Sequence, residues 1–423
     1  MYPSPCSRQS GVCIGQNARM SAQESPQTSS RSPIWLIAGS GLGGLSAAVA
    51  LAQAGRSVRV LERAPEISEV GAGIQLGPNA VRVVQSLGLM DELARVAWFP
   101  KSIEALCAES GRSLAELDVR GHAQRYGCPY ATVHRADLQA LLLARARQVA
   151  HVRTGCEVTG FEALPDGVGV HLNTATGPES LQGHALIGAD GLWSRLRAQM
   201  LGEAPPQFTG DVAYRALVCM ADLPAALRQQ KVQVWMGPRI HVVAYPVRSG
   251  DWLNVVVIQG GVVTSGAQGW SATAPREQVA HMSNGLTARL RGVLEAVSAL
   301  HPWQAWALHV RPSLEAVQYV QGRVALLGDA AHPMRPYMAQ GAAMALEDAW
   351  QLGQSVSALA DVPQALRQYA QARAGRNARV QETSRKNGEV FHAKGPMRLA
   401  RNLALAAAGG RLMDKPWLYG HKA

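Results

Sequence analysis

The chain is 423 residues long, 47% hydrophobic and 17% charged, with a formal net charge of +11. That length supports a large core shared by two unequal lobes and excludes a small module held by disulfides or a metal. The positive charge favours anionic partners, but the basic residues are scattered and only 5% of residues are aromatic, so neither a basic arm nor a base-stacking platform is visible and nucleic-acid binding is not expected. Cys6, Cys13, Cys107, Cys128, Cys156 and Cys219 form no C-x-x-C pair and no zinc-type spacing. They read as free thiols of a cytoplasmic protein with no metal site. No apolar run resembles a signal peptide or reaches the length of a membrane span, so a soluble chain without membrane attachment is expected.

Residues 1–32 are rich in Ser, Gln and Pro and carry too little apolar surface to fold, so disorder is expected there. Met20 offers a second reading of the translation start. From Ile34 the chain alternates short apolar runs with amphipathic stretches, as parallel strands and crossover helices do. Ile34 to Ala38 and Val58 to Leu61 read as strands, with a helix from Leu45 to Ala54 between them. Residues 207–309 instead carry β-branched runs such as Val255-Val256-Val257-Ile258 broken by Gly and Pro, which predicts a sheet-rich second lobe. After the strand Val324 to Leu327, residues 341–385 read as helix. The predicted fold is therefore α/β and two-lobed. A discontinuous nucleotide-binding domain with a Rossmann-like parallel sheet spans 33–101, 131–206 and 310–385, and a mixed-sheet substrate domain spans 102–130 and 207–309. Residues 386–423 form a C-terminal helical segment, in which Met397 to Leu405 is amphipathic and basic and is expected to pack on the core.

Gly39-Ser40-Gly41-Leu42-Gly43-Gly44 matches G-x-G-x-x-G, a weak signal alone. Its setting strengthens it, because it follows a strand and opens an Ala-rich helix that Gly55 can terminate. Gly39 permits the tight turn, Gly41 lets a pyrophosphate approach the backbone, and Gly44 lets helix and strand pack closely. Glu62, at the end of the next strand, stands where an acid meets a ribose and favours a free 2′-hydroxyl, which FAD and NAD share. The loop alone does not choose between them.

Three further segments carry a family resemblance. Ile187-Gly188-Ala189-Asp190-Gly191 is an Asp-Gly turn after an apolar strand, which can also be read as a helix cap. Val324 to Leu327 followed by Gly328-Asp329 places a carboxylate at the C-terminal edge of the sheet, where ligands of open parallel sheets bind. Met338-Ala339-Gln340-Gly341-Ala342-Ala343 opens a helix whose small residues leave backbone N–H groups facing outward. Together with His134-Arg135-Ala136-Asp137-Leu138 and the closing Trp417-Leu418-Tyr419-Gly420, these resemble the group A flavoprotein aromatic hydroxylases, which include salicylate, 3-hydroxybenzoate and 6-hydroxynicotinate enzymes. The resemblance implies that FAD is bound by Gly39, Gly41, Gly44, Glu62, Arg135 and Asp190, that Asp329 holds a ribityl hydroxyl, and that the helix end at Gly341 and Ala342 faces the pyrimidine edge of the isoalloxazine.

It further implies the chemistry: NADH or NADPH reduces FAD, dioxygen adds, and the terminal oxygen of a flavin hydroperoxide passes to the ring of a small hydroxylated aromatic acid. No second nucleotide fingerprint accompanies a strand and helix, so the nicotinamide is expected to visit without a domain of its own. In Ile240-His241-Val242-Val243-Ala244-Tyr245-Pro246, His241 and Tyr245 share one strand face. An imidazole can accept a phenolic proton near neutrality and a tyrosine hydroxyl can hold the substrate oxygen, so these two are the expected catalytic pair. Gln75 is similar to the residue of the 3-hydroxybenzoate enzymes, whereas Pro336 is similar to the hydroxynicotinate and salicylate ones, which leaves the acid open. A homodimer is compatible with the sequence. The competing readings are an FAD-dependent hydroxylase or reductase acting on a membrane-associated isoprenoid or quinone precursor, and a flavin-binding regulatory protein.

Overall fold

The computed structural model describes residues 33–67, 72–261, 272–274, 279 and 281–422. The expected disorder of residues 1–32, and with it Cys6 and Cys13, lies outside the described residues.

Four sheets organise the described residues. The first has six strands in the order Val320–Gln321, Val324–Leu326, Ala185–Gly188, Ile34–Ala38, Ser57–Leu61 and His151–Arg153. All its pairings are parallel except that of the short edge strand Val320–Gln321. Ile34–Ala38 and Ala185–Gly188, its two central strands, are apolar and buried along almost their whole length, as strands covered on both faces must be. Helix Leu42–Gln53 packs on this sheet and against helix Gly341–Ala358. The helix contact is close, because a Cβ on Gly353 would stand 3.0 Å from Ala50.

The largest sheet has eight strands, ordered Ala272–Ala274, Trp303–Val310, Gln207–Cys219, Trp252–Gly260, Ile240–Val247, Val232–Gly237, Ser102–Cys107 and Ser113–Asp118. Its pairs are antiparallel except Val232–Gly237 with Ser102–Cys107. The side-chain period of two gives it two different faces. Val212, Tyr214, Val242, Ala244, Val255 and Val257 pack on helix Ala288–Leu300 through Leu290, Val293, Leu294 and Val297. Ala213, Arg215, His241, Tyr245, Asn254 and Ile258 are on the opposite face. That second face meets the ribbon Gly73–Leu76/Ala131–His134: the Gly73 N–H donates to Asn254 Oδ1 at 2.7 Å, and Thr132 Oγ1 donates to the Pro246 carbonyl at 2.5 Å. A three-stranded antiparallel sheet, Cys156–Leu164, Gly167–Thr174 and Gly177–Gly183, completes the set.

Two local expectations need correction. The helix expected over 341–385 is two helices, Gly341–Ala358 and Val362–Phe391, because Asp361 caps the second through the Gln364 N–H at 2.8 Å and Pro363 fits only its first turn. The C-terminal helix Gly395–Ala408 is amphipathic and packs on strand Ser113–Asp118 through Leu405, as expected, but turns most of its large apolar residues outward. Met397, Leu399 and Leu403 are exposed, while Arg401 is buried and donates to the carbonyls of Val390 and Phe391.

Candidate cofactor and substrate site

The glycine loop is built as its spacing demands. Gly39 has φ +102°, and a Cβ there would lie 2.4 Å from the Ala189 carbonyl oxygen and 3.4 Å from the Asp190 Cα, so only glycine lets this loop cross over the Ala189-Asp190 turn. A Cβ on Gly44 would stand 2.0 Å from the Gly39 carbonyl oxygen. At Gly41, the N-cap of helix Leu42–Gln53, a Cβ would meet no atom within 4 Å, so the backbone itself is the surface that a phosphate would meet at the helix N-terminus. Gly43 and Gly328 bring in the other motifs, since Cβ atoms there would touch Leu327 at 2.7 Å and Ala345 at 3.2 Å respectively. Segments far apart in sequence therefore converge on one end of the parallel sheet.

Glu62 holds this loop shut. Its Oε2 accepts from the Ser40 N–H at 2.8 Å and the Ser40 hydroxyl at 2.7 Å, and its Oε1 accepts from the Ala64 N–H at 2.9 Å. A carboxylate has about four acceptor sites, so capacity for a ribose hydroxyl is left beside these bonds. Asp190 acts as a helix cap, one of its two expected readings. Its Oδ2 accepts from the N–H groups of Arg195 and Leu196 at 2.9 and 3.3 Å, bracing helix Arg195–Leu201, whose own N-cap is Ser194. Its Oδ1 is buried without a partner, and burial pushes its pKa up.

Asp329 follows the strand end and lies at the sheet edge. No protein donor is hydrogen-bonded to its carboxylate among the described residues. Burial raises its pKa, while His332 and Arg135 oppose the rise. Arg135 begins helix Arg135–Val149 and is tied back by its own N–H to the Ala72 carbonyl at 3.0 Å. Burial lowers its pKa and Asp329 supports its charge. Gly341 and Ala342 open helix Gly341–Ala358 after Ala339, whose φ of +52° is uncommon for a residue with a side chain and strains the entry to the helix.

A buried ionic network, absent from the sequence reading, fixes this helix end. Glu347 accepts from Arg373, Arg376 and Asn79 at 2.6 to 2.8 Å. Asp348 accepts from Arg373 Nε at 2.7 Å, Asn377 at 3.0 Å and the Gly328 N–H at 3.1 Å, and it pairs with His332. Burial would raise the Asp348 pKa, but His332 and Arg373 hold it well below the ordinary carboxylate value. Two carboxylates and two arginines balance in charge, which is the condition for such a cluster to persist inside a core. Through Gly328 it sets the turn that carries Asp329.

The second face of the eight-stranded sheet supplies the other half of the site. Tyr245 is 3% exposed and lies beside Gln75, whose Oε1 accepts from Tyr130 at 2.7 Å and whose side chain favours the ionised form of the Tyr245 phenol. Burial pushes the Tyr245 pKa up, partly offset by Arg215. Arg215 has no carboxylate partner among the described residues, and its Nε is buried without an acceptor. Its guanidinium lies 3.0 Å over the Trp306 ring. Burial and the nearby Arg135 lower its pKa. His241 shares the face but is farther along the strand, packed against Tyr337 and Phe391 with ring centroids 5.0 and 5.5 Å away. Four residues of strand separate it from Tyr245 by roughly 13 Å, so the two side chains address opposite ends of anything the size of one ring. No cluster of three or more metal-ligating side chains occurs among the described residues, and no described helix is long and apolar enough to cross a membrane.

The FAD binding domain family matches residues 34–384, and the chain belongs to it. Its similarity to named proteins runs nearly end to end. It is 38% identical over 390 residues to a 3-hydroxybenzoate 6-hydroxylase of Polaromonas naphthalenivorans, covering 91% of this chain and 95% of that one. Among solved structures, a salicylate hydroxylase substrate complex superimposes with a TM-score of 0.77 at 26% identity, covering 92% of this chain and 96% of the other. Klebsiella pneumoniae HpxO complexed with FAD and uric acid gives 0.78 at 28% identity, covering 90% of this chain and 94% of the other. The chain is thus an FAD-dependent aromatic monooxygenase with the two-domain fold of the flavoprotein hydroxylases, as the sequence motifs implied. The cradle fits this cofactor, because the bare backbone at Gly41, the open carboxylate of Asp329 and the helix end at Gly341 line the region where the motifs converge.

Proposed function

We propose that the protein hydroxylates a small hydroxylated aromatic carboxylic acid of the salicylate or 3-hydroxybenzoate type, using FAD, dioxygen and NADH or NADPH. The observation that carries this reading is Arg215, a desolvated cation without a carboxylate partner among the described residues, on the same sheet face as His241 and Tyr245 and electrostatically coupled to Arg135, which also faces Asp329. A half-buried guanidinium stacked on an indole, with its Nε shielded from solvent, suits a carboxylate ligand. With the acid group on Arg215, Tyr245 would hold the ring and His241 would accept its phenolic proton. Bound FAD supplies the redox and oxygen chemistry. Gly39, Gly41, Gly44, Glu62, Arg135, Asp190, Asp329, Gly341 and Ala342 are the residues we assign to holding it, and the chain works in the cytoplasm as a homodimer.

Mass spectrometry of products from salicylate, 3-hydroxybenzoate and 6-hydroxynicotinate tests the reading. It also separates oxygen entry at a free ring position from replacement of the carboxylate. No product and no acid-stimulated NADH or NADPH oxidation with any of the three would refute it. His241→Ala and Tyr245→Phe should retain FAD and bind the acid, yet divert reducing equivalents to hydrogen peroxide. Parent rates and coupling in both variants would place the base elsewhere.

A further inference from the structure

The imidazoles of His241 and His392 form a pair across the fold, with His241 Nδ1 2.8 Å from His392 Nε2. His241 is 1% exposed, whereas His392, the C-cap of helix Val362–Phe391, reaches partial exposure. Two ring nitrogens at this distance share one proton, so one ring donates and the other accepts. The Nε2 of His241 makes no further hydrogen bond among the described residues. On the outer side, a Cβ at Gly260 would stand 3.3 Å from His392 Nδ1 and 3.0 Å from Asp211 Oδ1, so both atoms face the same glycine. The other oxygen of Asp211 accepts from the Tyr337 hydroxyl at 2.7 Å and from Arg335 at 3.5 Å. His241 and His392 are thus joined in a pair whose outer ring reaches partial exposure, with Asp211 facing the same glycine as His392.

We propose that His392 is the relay through which a phenolic proton accepted by His241 leaves the buried site. The inference rests on the aromatic-acid reading above. The substrate O–H bond breaks and its proton adds to His241 Nε2. The proton on His241 Nδ1 passes to His392 Nε2, and the one on His392 Nδ1 departs toward Asp211 or solvent. No electrons are transferred, both rings end neutral with their protons on the opposite nitrogen, and the reverse sequence restores them when the product is protonated.

The relay answers a physical problem. A proton retained on His241 alone would create an imidazolium between Tyr337, Phe391 and Ile258, where burial holds its pKa well below the ordinary value and His392 lowers it further. Burial also lowers His392, to about 4, with Arg335 and Arg401 acting in the same direction and Asp211 against them. Both rings are therefore neutral at working pH, the state in which each has one donor and one acceptor.

The test uses FAD-loaded protein mixed with 3-hydroxybenzoate in weak buffer, with an indicator dye reporting proton release in a stopped-flow instrument. His392→Gln and His392→Ala should slow release at least about tenfold, a modest part of what a positioned proton carrier contributes, while the dissociation constant for the acid stays within about threefold. Free imidazole should accelerate release in His392→Ala and leave the parent unchanged. Gly260→Ala, which places a methyl group between His392 Nδ1 and Asp211 Oδ1, should slow release as well and keeps the test intact should the His392 variants fail to fold. Unaltered release in the variants, slowing that imidazole leaves untouched, or binding by the parent without proton release would each sink the relay alone. If the parent binds neither 3-hydroxybenzoate nor salicylate, the aromatic-acid reading fails and the relay with it.

Discussion

Replacing Arg215 with Met gives two effects of opposite sign. Met preserves much of the length and apolar bulk that cover Trp306 but removes the charge. In the unliganded protein this charge has lost solvent and has no acidic partner among the described residues, so an apolar replacement should be neutral or stabilising by roughly 1 kcal/mol. With the acid bound, the same change removes a charge-assisted, forked interaction. Truncating one partner of such a buried pair costs about 2–5 kcal/mol, which corresponds to an affinity loss of about 30-fold to a few thousand-fold. Calorimetric titration with 3-hydroxybenzoate and with 3-hydroxybenzamide separates charge from shape. The acid should lose affinity by that factor and the uncharged amide should bind parent and variant alike, while the urea midpoint holds or rises. Equal losses for acid and amide, or unchanged binding of the acid, would refute the assignment of Arg215 as the carboxylate receptor.

Other consequences follow from the same geometry. Asp329→Ala should weaken FAD binding yet respond to excess FAD, since it removes only an acceptor, whereas Gly41→Val puts bulk on the bare backbone and should resist rescue; full flavin occupancy of both purified variants would contradict the cofactor map. Arg373→Met leaves Asp348 and Glu347 buried with fewer donors and should cost about 3–5 kcal/mol in denaturant unfolding, with weaker FAD retention because the Gly328 turn loosens; a loss below 1 kcal/mol, well under the roughly 3–5 expected for a broken buried pair, would show that the network does not hold this turn. The depressed His392 pKa sets an acid limb of stability. Between its ordinary value of 6.5 and about 4 the unfolded chain binds a proton that the folded chain refuses, so stability falls as pH drops through that window, by on the order of 2–3 kcal/mol. His241 acts in the same direction. The His241→Gln/His392→Gln double variant should flatten this limb in urea titrations run from pH 7 to pH 4, and an unchanged slope would show that the pair is not held neutral.

What the sequence determined by itself was local. The strands Ile34–Ala38 and Ile240–Val247, the helix after Gly41 and its stop at Gly55 follow from apolar runs, backbone freedom and turn chemistry, which depend on near neighbours only. Gly39 and Gly44 were legible because close backbone approach admits no other residue, and the i, i+4 spacing of His241 and Tyr245 put both on one face without knowledge of any partner. The break between Ala358 and Val362 was also encoded, in Asp361 and Pro363, but was hidden by the stronger helical periodicity on either side. Only the tertiary structure decided the rest. Arg215 on Trp306, Gln75 between two tyrosines, Asp348 on the Gly328 turn and His392 on His241 are contacts between segments dozens to hundreds of residues apart, except for the Asp348 turn at 20. The identity of a charged or polar residue does not reveal which distant group will neutralise it, because burial and partner are set by the strand order that assembles the sheet. The outward Met397, Leu399 and Leu403 of helix Gly395–Ala408 have the same origin: an amphipathic pattern states that a helix has two faces, and the surface on which it lands chooses which residues are buried.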